Sequence, residues 1–227
     1  MKAMVLCAGK GSRLGKLTEV TPKPLLPLGD KPIIDYILSW LNKYGVVDIV
    51  INTHFMGRQI KYYFRNTPSV CCIREKKILG TSGGVRNARR SLGDTFIVVH
   101  GDTLTNLNIS NMLKFHQSNK ALATIAVISG SANGSGLIDI DKDCKVLKFS
   151  EKTQAKGIGL INAGIYILEK EIFDYIPNGF NDFGYNTFPH IIRRKLPVYG
   201  YELKDSEYIV DIGTPESYKK AKEMYEE

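Results

Sequence analysis

The chain has 227 residues, 43% hydrophobic and 24% charged, with a formal net charge of +8. That length supports one sizeable core, and the composition is that of an ordinary globular protein rather than a disordered or fibrous one. Its longest apolar runs, such as residues 96–99, are too short to cross a bilayer, so no membrane-spanning role is expected. Met1-Lys2 leads through a brief apolar stretch straight into glycines, without the long apolar segment of a leader, and a cytoplasmic location is expected. The four cysteines, Cys7, Cys71, Cys72 and Cys144, lack metal-ligand spacing and read as reduced thiols. Positive charge favours anionic partners. The basic residues form only short clusters, such as Arg86, Arg89, Arg90 and Arg193, Arg194, Lys195, with no basic tail and no nucleic-acid motif. Nucleic acid, an anionic membrane and small phosphorylated substrates would all qualify by charge, which alone points to phosphate and no further; neither a nucleic-acid nor a membrane partner is expected.

Short apolar runs alternate with amphipathic stretches. Residues 3–7 read as a buried strand followed by a glycine-rich loop. Pro32 sits at a good first helical position, and Ile33, Ile34, Ile37, Leu38 and Leu41 recur at helical spacing until Gly45 stops them. Residues 46–52 predict the next strand, 59–64 a short helix and 82–92 another helix. Residues 96–99 predict a strand ending in Gly101-Asp102, then a helix over 111–117 and a strand over 121–128. This alternation predicts a mainly parallel sheet with helices on both faces. Farther on, 137–140, 146–150 and 160–168 are closely spaced strands that suggest antiparallel additions. Helices over 170–176 and 188–194, strands over 198–203 and 208–210, and a last helix over 214–225 follow, with Thr214 as N-cap and Pro215 at its first position. No linker or repeat interrupts the chain. One domain is expected, with a change of character near residue 120.

The segment Leu6-Cys7-Ala8-Gly9-Lys10-Gly11-Ser12-Arg13-Leu14 follows the first strand. Glycines let successive backbone N–H groups converge on phosphate oxygens, and arginine adds bidentate bonds. Two familiar phosphate loops do not match. The dinucleotide fingerprint requires a third glycine where Leu14 stands. The triphosphatase loop requires Gly and Ser/Thr where Lys10 and Leu17 stand. Lys23, fixed between Pro22 and Pro24, has little backbone freedom, so its ammonium can be aimed.

Gly9-Lys10-Gly11-Ser12-Arg13-Leu14 followed by Thr21-Pro22-Lys23-Pro24-Leu25 resembles the N-terminal signature of the sugar-1-phosphate nucleotidylyltransferases. The resemblance continues through Leu79-Gly80-Thr81-Ser82-Gly83-Gly84, Gly101-Asp102, Glu151-Lys152, Asn162-Ala163-Gly164 and Val210-Asp211-Ile212-Gly213-Thr214-Pro215, in family order. It implies a three-layer α/β sandwich (the nucleotide-diphospho-sugar transferase fold) with a Rossmann-like nucleotide-binding half over about 1–120 and an acceptor-binding half over about 121–227. It also implies Mg²⁺-dependent transfer of a nucleoside monophosphate from a nucleoside triphosphate to a sugar 1-phosphate, feeding surface-glycan precursor synthesis.

Residue by residue, the resemblance assigns Arg13 and Lys23 as catalytic cations and Asp102 and Asp211 as metal ligands. Nucleotide contacts fall on Leu6, Ala8, Gly9, Gly11, Ser12, Arg13, Glu75, Gly80 and Asp102, and acceptor contacts on Gly136, Glu151, Lys152 and Asn162. Many relatives carry proline where this chain has Ile78. Asp182-Phe183-Gly184 with Phe188-Pro189 looks most like mannose- and heptose-1-phosphate guanylyltransferases, which favours GTP. Uridylyl, thymidylyl and cytidylyl transfer, the last including a non-sugar acceptor, are the alternatives. From another class, a silent nucleotide-binding regulatory subunit would fit the same loop. A homo-oligomer is left open. Arg86, Arg89 and Arg90 read as a solvated helix face, and His100 as a packed histidine.

Overall fold

Strand β1 (Lys2–Cys7) buries Ala3, Val5 and Cys7 in one apolar cluster and Met4 in another. Side chains alternate across a strand, so a run apolar at both parities is a strand covered on both faces. This describes a computed structural model covering residues 1–132, 136–151 and 157–225.

After β1 the chain makes a 3₁₀ segment over Ser12–Thr18 and a second turn over Lys23–Leu25. Then come β2 (Pro27–Leu28), β3 (Lys31–Pro32), α1 (Ile33–Lys43), β4 (Ile49–Thr53), α2 (Gly57–Tyr63), β5 (Val70–Arg74) and α3 (Gly80–Asn87). The middle of the chain supplies β6 (Thr95–His100), β7 (Thr103–Thr105), α4 (Ile109–Ser118), β8 (Ala123–Ser131), β9 (Leu137–Ile140), β10 (Val146–Ser150) and β11 (Ile158–Glu169). The last part holds α5 (Phe188–Arg193), β12 (Val198–Glu202), β13 (Ile209–Asp211) and α6 (Pro215–Tyr225).

Among the described residues, nine strands share one sheet in the order β10-β9-β11-β6-β1-β4-β5, with β8 pairing β11 and β12. β5, β4, β1 and β6 are mutually parallel, and β11 enters antiparallel to β6. One apolar layer holds Ile33, Ile34, Ile37 and Leu41 of α1, Ile60 of α2, Met112 of α4 and Ala221 of α6. The opposite layer holds Val85 of α3 and Phe188 and Ile191 of α5. The fold is the α/β sandwich expected from the sequence.

Several boundaries differ from expectation. Pro32 is extended and caps α1 rather than opening it. The 82–92 helix starts earlier, at Gly80, and gives way to a 3₁₀ turn at Arg89–Ser91. The segment 170–176 is a 3₁₀ helix, Lys170–Tyr175. Edge strand β5 was not predicted. Its Val-Cys-Cys-Ile-Arg run has no fully buried residue, so the alternation that marks a two-sided strand is faint. Thr214 caps α6 as expected, accepting from Ser217 N at 3.2 Å. No helix among the described residues is long and apolar enough to cross a membrane.

Candidate active site

In parallel register Leu6 of β1 pairs with His100 of β6, so the glycine-rich loop and Gly101-Asp102 leave the sheet side by side at its carboxyl edge. Open parallel sheets place ligands at that edge. The third element is β13, antiparallel to β7 with Asp211 opposite Thr103, and Ile212 N donates to Asp102 O at 2.9 Å. Two carboxylates far apart in sequence thereby face one cavity of about 390 Å³, which Arg13 also lines. A Cβ at Gly213 would lie 3.0 Å from Asp211 Oδ1 and 3.1 Å from Arg13 Nη2, a measure of how closely these groups converge.

Lys23 is buried, and its Nζ donates to Asp102 Oδ2 in an ion pair. The turn around Pro22 and Pro24 delivers it, with Pro24 buried beside it. Burial works against the Asp102 charge, but Lys23 first, then His100 and Arg13, hold that carboxyl below its ordinary value. The enclosing walls and then the Asp102 charge push the Asp211 carboxyl up, despite the nearby cations. Two hard oxygen donors and no thiolate suit a divalent cation that completes its shell with substrate phosphate and water. No group of three or more His, Cys, Asp or Glu side chains that could hold a metal exists among the described residues. Cys7, directly beneath, is buried. Its thiol is pushed well up by that burial and by Asp102, which makes it an inert packing group.

Of the predicted acceptor residues, Gly136, Glu151 and Asn162 line the same cavity, whereas Lys152 lies outside the described residues. Asn162 donates through Nδ2 to Tyr166 Oη at 2.9 Å and accepts from Gly164 N at 3.1 Å. Tyr166 in turn reaches His100 Nε2 at 3.4 Å and packs edge-on against its ring. His100 thus lines the cavity as well as packing.

The predicted nucleotide residues Leu6, Ala8, Gly9, Gly11, Ser12, Glu75 and Gly80 do not line this cavity. Gly9, Ser12 and Arg13 are exposed on the loop, while Leu6 and Ala8 sit at the strand end. Glu75 is 1% exposed, and its carboxylate accepts from Asn52 Nδ2 at 2.7 Å and Leu79 N at 3.0 Å. A buried carboxylate needs such donors, and through them Glu75 fixes the 79–80 turn. Asn52 Oδ1 accepts from Cys7 N at 2.8 Å, tying that turn to β1. Arg86 also departs from expectation. It is half-buried and donates to Asn178 Oδ1 at 3.0 Å and to Phe173 O, whereas Arg89 and Arg90 are exposed.

Thr81 and Asp182 are among the lining residues that the sequence does not single out. Thr81 Oγ1 donates to Asp182 Oδ2 at 2.8 Å, and Asp182 Oδ1 accepts from Gly184 N at 2.9 Å. Both stood inside quoted motifs, but only the fold brings them together.

A model of the nucleotidyl transferase family matches residues 2–227. The chain belongs to that family. It is 34% identical to a UTP–glucose-1-phosphate uridylyltransferase of Synechocystis sp. over 97% of this chain and 62% of the relative. To the D-glycero-alpha-D-manno-heptose 1-phosphate guanylyltransferase of Campylobacter jejuni it is 32% identical, over 96% of this chain and 97% of that one. The crystal structure of HddC from Yersinia pseudotuberculosis complexed with GMP-PN superimposes with a TM-score of 0.82 at 29% identity, covering 99% of each chain. The chain thus spans under two thirds of the length of the Synechocystis relative but nearly all of the two shorter proteins.

Proposed function

We propose that this chain transfers a nucleoside monophosphate from a nucleoside triphosphate to a sugar 1-phosphate, releasing pyrophosphate, in the cytoplasm and with Mg²⁺. The observation that carries this reading is a single cavity in which Arg13, Asp102 and Asp211 meet Glu151 and Asn162. A phosphate-handling wall thereby stands opposite a wall of groups suited to sugar hydroxyls.

In the proposed reaction a phosphate oxygen of the acceptor attacks the α-phosphorus. The new P–O bond forms as the bond from that phosphorus to the bridging oxygen of pyrophosphate breaks, and no covalent protein intermediate is needed. Such a transfer depends on alignment and charge stabilisation. Arg13, exposed on the loop, contributes mobile bidentate bonds to phosphate. Lys23 contributes a fixed, desolvated charge that is worth more than one in water. Asp102 and Asp211 would hold the cation, which when bound neutralises phosphate charge and orients the reacting oxygens. The backbone of residues 8–12 cradles the triphosphate, and the Gly80 turn lies where the base would sit. Glu151 accepts from sugar hydroxyls and Asn162 can both donate and accept.

GTP is the nucleotide we favour. Support for this comes from the heptose 1-phosphate guanylyltransferase and the structure complexed with GMP-PN, both of which this chain matches over nearly their full length.

A matrix of the common nucleoside triphosphates against hexose and heptose 1-phosphates, read by pyrophosphate release, tests the reading. Turnover should be highest with GTP, vanish with chelator and return with Mg²⁺. Tight nucleotide binding without turnover on any acceptor would overturn it in favour of a regulatory subunit.

A further inference from the structure

The turn that follows Glu75 is bonded on both sides. Toward β1, Glu75 holds Leu79 N and Asn52. Toward the acceptor wall, Leu79 O accepts from Asn181 N at 2.8 Å and Asn181 O accepts from Gly83 N at 2.9 Å. Thr81 stands at the centre of this seam. Its hydroxyl donates to Asp182 Oδ2 and accepts from Phe183 N at 2.8 Å, so both of its hydrogen-bonding capacities are used across the seam. Ser82 Oγ accepts from Thr187 Oγ1 at 2.8 Å, a buried bond that extends it. The backbones are as close as they can be. Gly80 has φ +74°, and a Cβ there would sit 2.4 Å from Asn181 O.

Asp182 passes the restraint on. Its second oxygen, Oδ1, caps the next turn by accepting from Gly184 N at 2.9 Å and Tyr185 N at 3.3 Å. Gly184 then lies flat against Glu151, where a Cβ would fall 1.7 Å from Glu151 Oε2. The path therefore runs from the nucleotide-side turn through Thr81 and Asp182 to Gly184, and so to the carboxylate assigned above to the acceptor.

We infer that Thr81 and Asp182 are positioning residues that set the Glu151 carboxylate from the nucleotide side, so that a residue on the nucleotide turn governs acceptor affinity. The inference rests on the proposed transfer reaction. It differs from a plain packing role because each oxygen of Asp182 serves a different wall: one holds Thr81, the other shapes the loop against Glu151. A structural seam would need only the main-chain bonds at Leu79, Gly83 and Asn181, which are also present.

The test is steady-state kinetics on Thr81→Val, Thr81→Ser, Asp182→Asn and the double variant Thr81→Val/Asp182→Asn. Nucleotide Kd is measured separately by calorimetry. Thr81→Val removes both the bond to the Asp182 carboxylate and the acceptor of Phe183 N; it should raise acceptor KM by at least about tenfold and leave nucleotide Kd within about threefold. Thr81→Ser, which keeps the hydroxyl, should restore most of the acceptor affinity. The double variant should show less than the sum of the two single effects, since both changes cut the Thr81–Asp182 bond. Unchanged acceptor KM in Thr81→Val, parallel loss of acceptor and nucleotide affinity, or additive effects in the double variant would each overturn the inference while wild-type turnover leaves the reaction standing. Absence of wild-type turnover on every acceptor would remove the reaction itself. Val keeps the branched shape of Thr and Ser keeps its hydroxyl, so these two variants test the inference even where Asp182→Asn folds poorly.

Discussion

The two walls of the proposed site are built in opposite ways. The proposed phosphate wall comes chiefly from one contiguous stretch, residues 6–23, of which Arg13 reaches the cavity, where the strand-end aspartates Asp102 and Asp211 complete it. The acceptor wall is assembled from Gly136, Glu151, Asn162 and Asp182, which lie on separate elements and meet through β11, antiparallel to β6. A contiguous wall carries its chemistry in a short local signature. An assembled wall depends on long-range packing, and its seam with the other wall, at Thr81 and Asp182, is where that dependence concentrates.

The largest expected effects lie on the phosphate wall, and they separate its two cations. Arg13→Ala should reduce kcat by about 10²–10³, the usual loss for one preorganised charge-stabilising donor. Because Arg13 is exposed, its melting temperature should stay close to wild type. Lys23→Ala should lose a similar factor in kcat and also stability, by about 3–5 kcal/mol, because it strands the Asp102 carboxylate; the two side chains are only 10% and 25% exposed. Kinetics with urea melts on both variants checks the contrast, and equal stabilities would contradict the assignment of Lys23 as a buried ion-pair partner.

Next in size is the seam. Gly80→Ala places a side chain at φ +74° and into Asn181 O, so a loss of at least about 1–3 kcal/mol is expected in denaturant unfolding. Its kinetic damage should reach nucleotide and acceptor together, because the turn serves both walls. Damage confined to the nucleotide would mean that the walls are less joined than the bonds at Leu79, Thr81 and Gly83 indicate.

Glu75→Gln is milder. The amide keeps one acceptor for Leu79 N or Asn52 Nδ2 but points donors at the other, a mismatch worth about 1–3 kcal/mol. Nucleotide KM should rise while kcat at saturation changes little. A wild-type KM would return Glu75 to a role in packing alone.

These differences follow what the sequence could reveal. The parallel strands were legible because β1, β4 and β6 are apolar at consecutive positions, and α1 because its five buried side chains, Ile33, Ile34, Ile37, Trp40 and Leu41, lie along one helical face. Arg13, Lys23, Asp102 and Asp211 were legible because each sits in a short motif. Glu75 was found by position but its bonds were not, since nothing local says that Asn52, 23 residues earlier, will take up its carboxylate. Asp182 was quoted for its motif alone, because its partner Thr81 is 101 residues away. Strand β5 was missed for want of burial. What escapes a local reading here is pairing across distance, and the acceptor wall consists mostly of that.

The smallest expected effect lies at the far end of β11 and separates fold stability from the site. His116 of α4, 1% exposed, meets Thr124 Oγ1 through Nδ1 at 2.8 Å and Glu169 Oε1 through Nε2 at 3.0 Å. Thr95 Oγ1 also donates to Glu169 Oε1, at 2.7 Å. A neutral ring that donates from Nε2 and accepts at Nδ1 satisfies every member. Burial lowers the His116 pKa, offset in part by the hydrogen bond and charge of Glu169. With a folded pKa below the unfolded value of about 6.5, the unfolded chain takes up the proton first as pH falls. Stability from this group is therefore whole above about pH 7 and declines as pH drops below about 6.5. Melting temperatures across pH 5–8 should show that fall, and His116→Gln, which cannot titrate, should flatten it. Acceptor and nucleotide KM at pH 7.5 should be unchanged in the variant, because Asn162 and Glu151 lie toward the opposite end of the acceptor wall. An altered acceptor KM would mean that the far end of β11 reaches the site after all, and that the acceptor wall is a longer lever than its hydrogen bonds suggest.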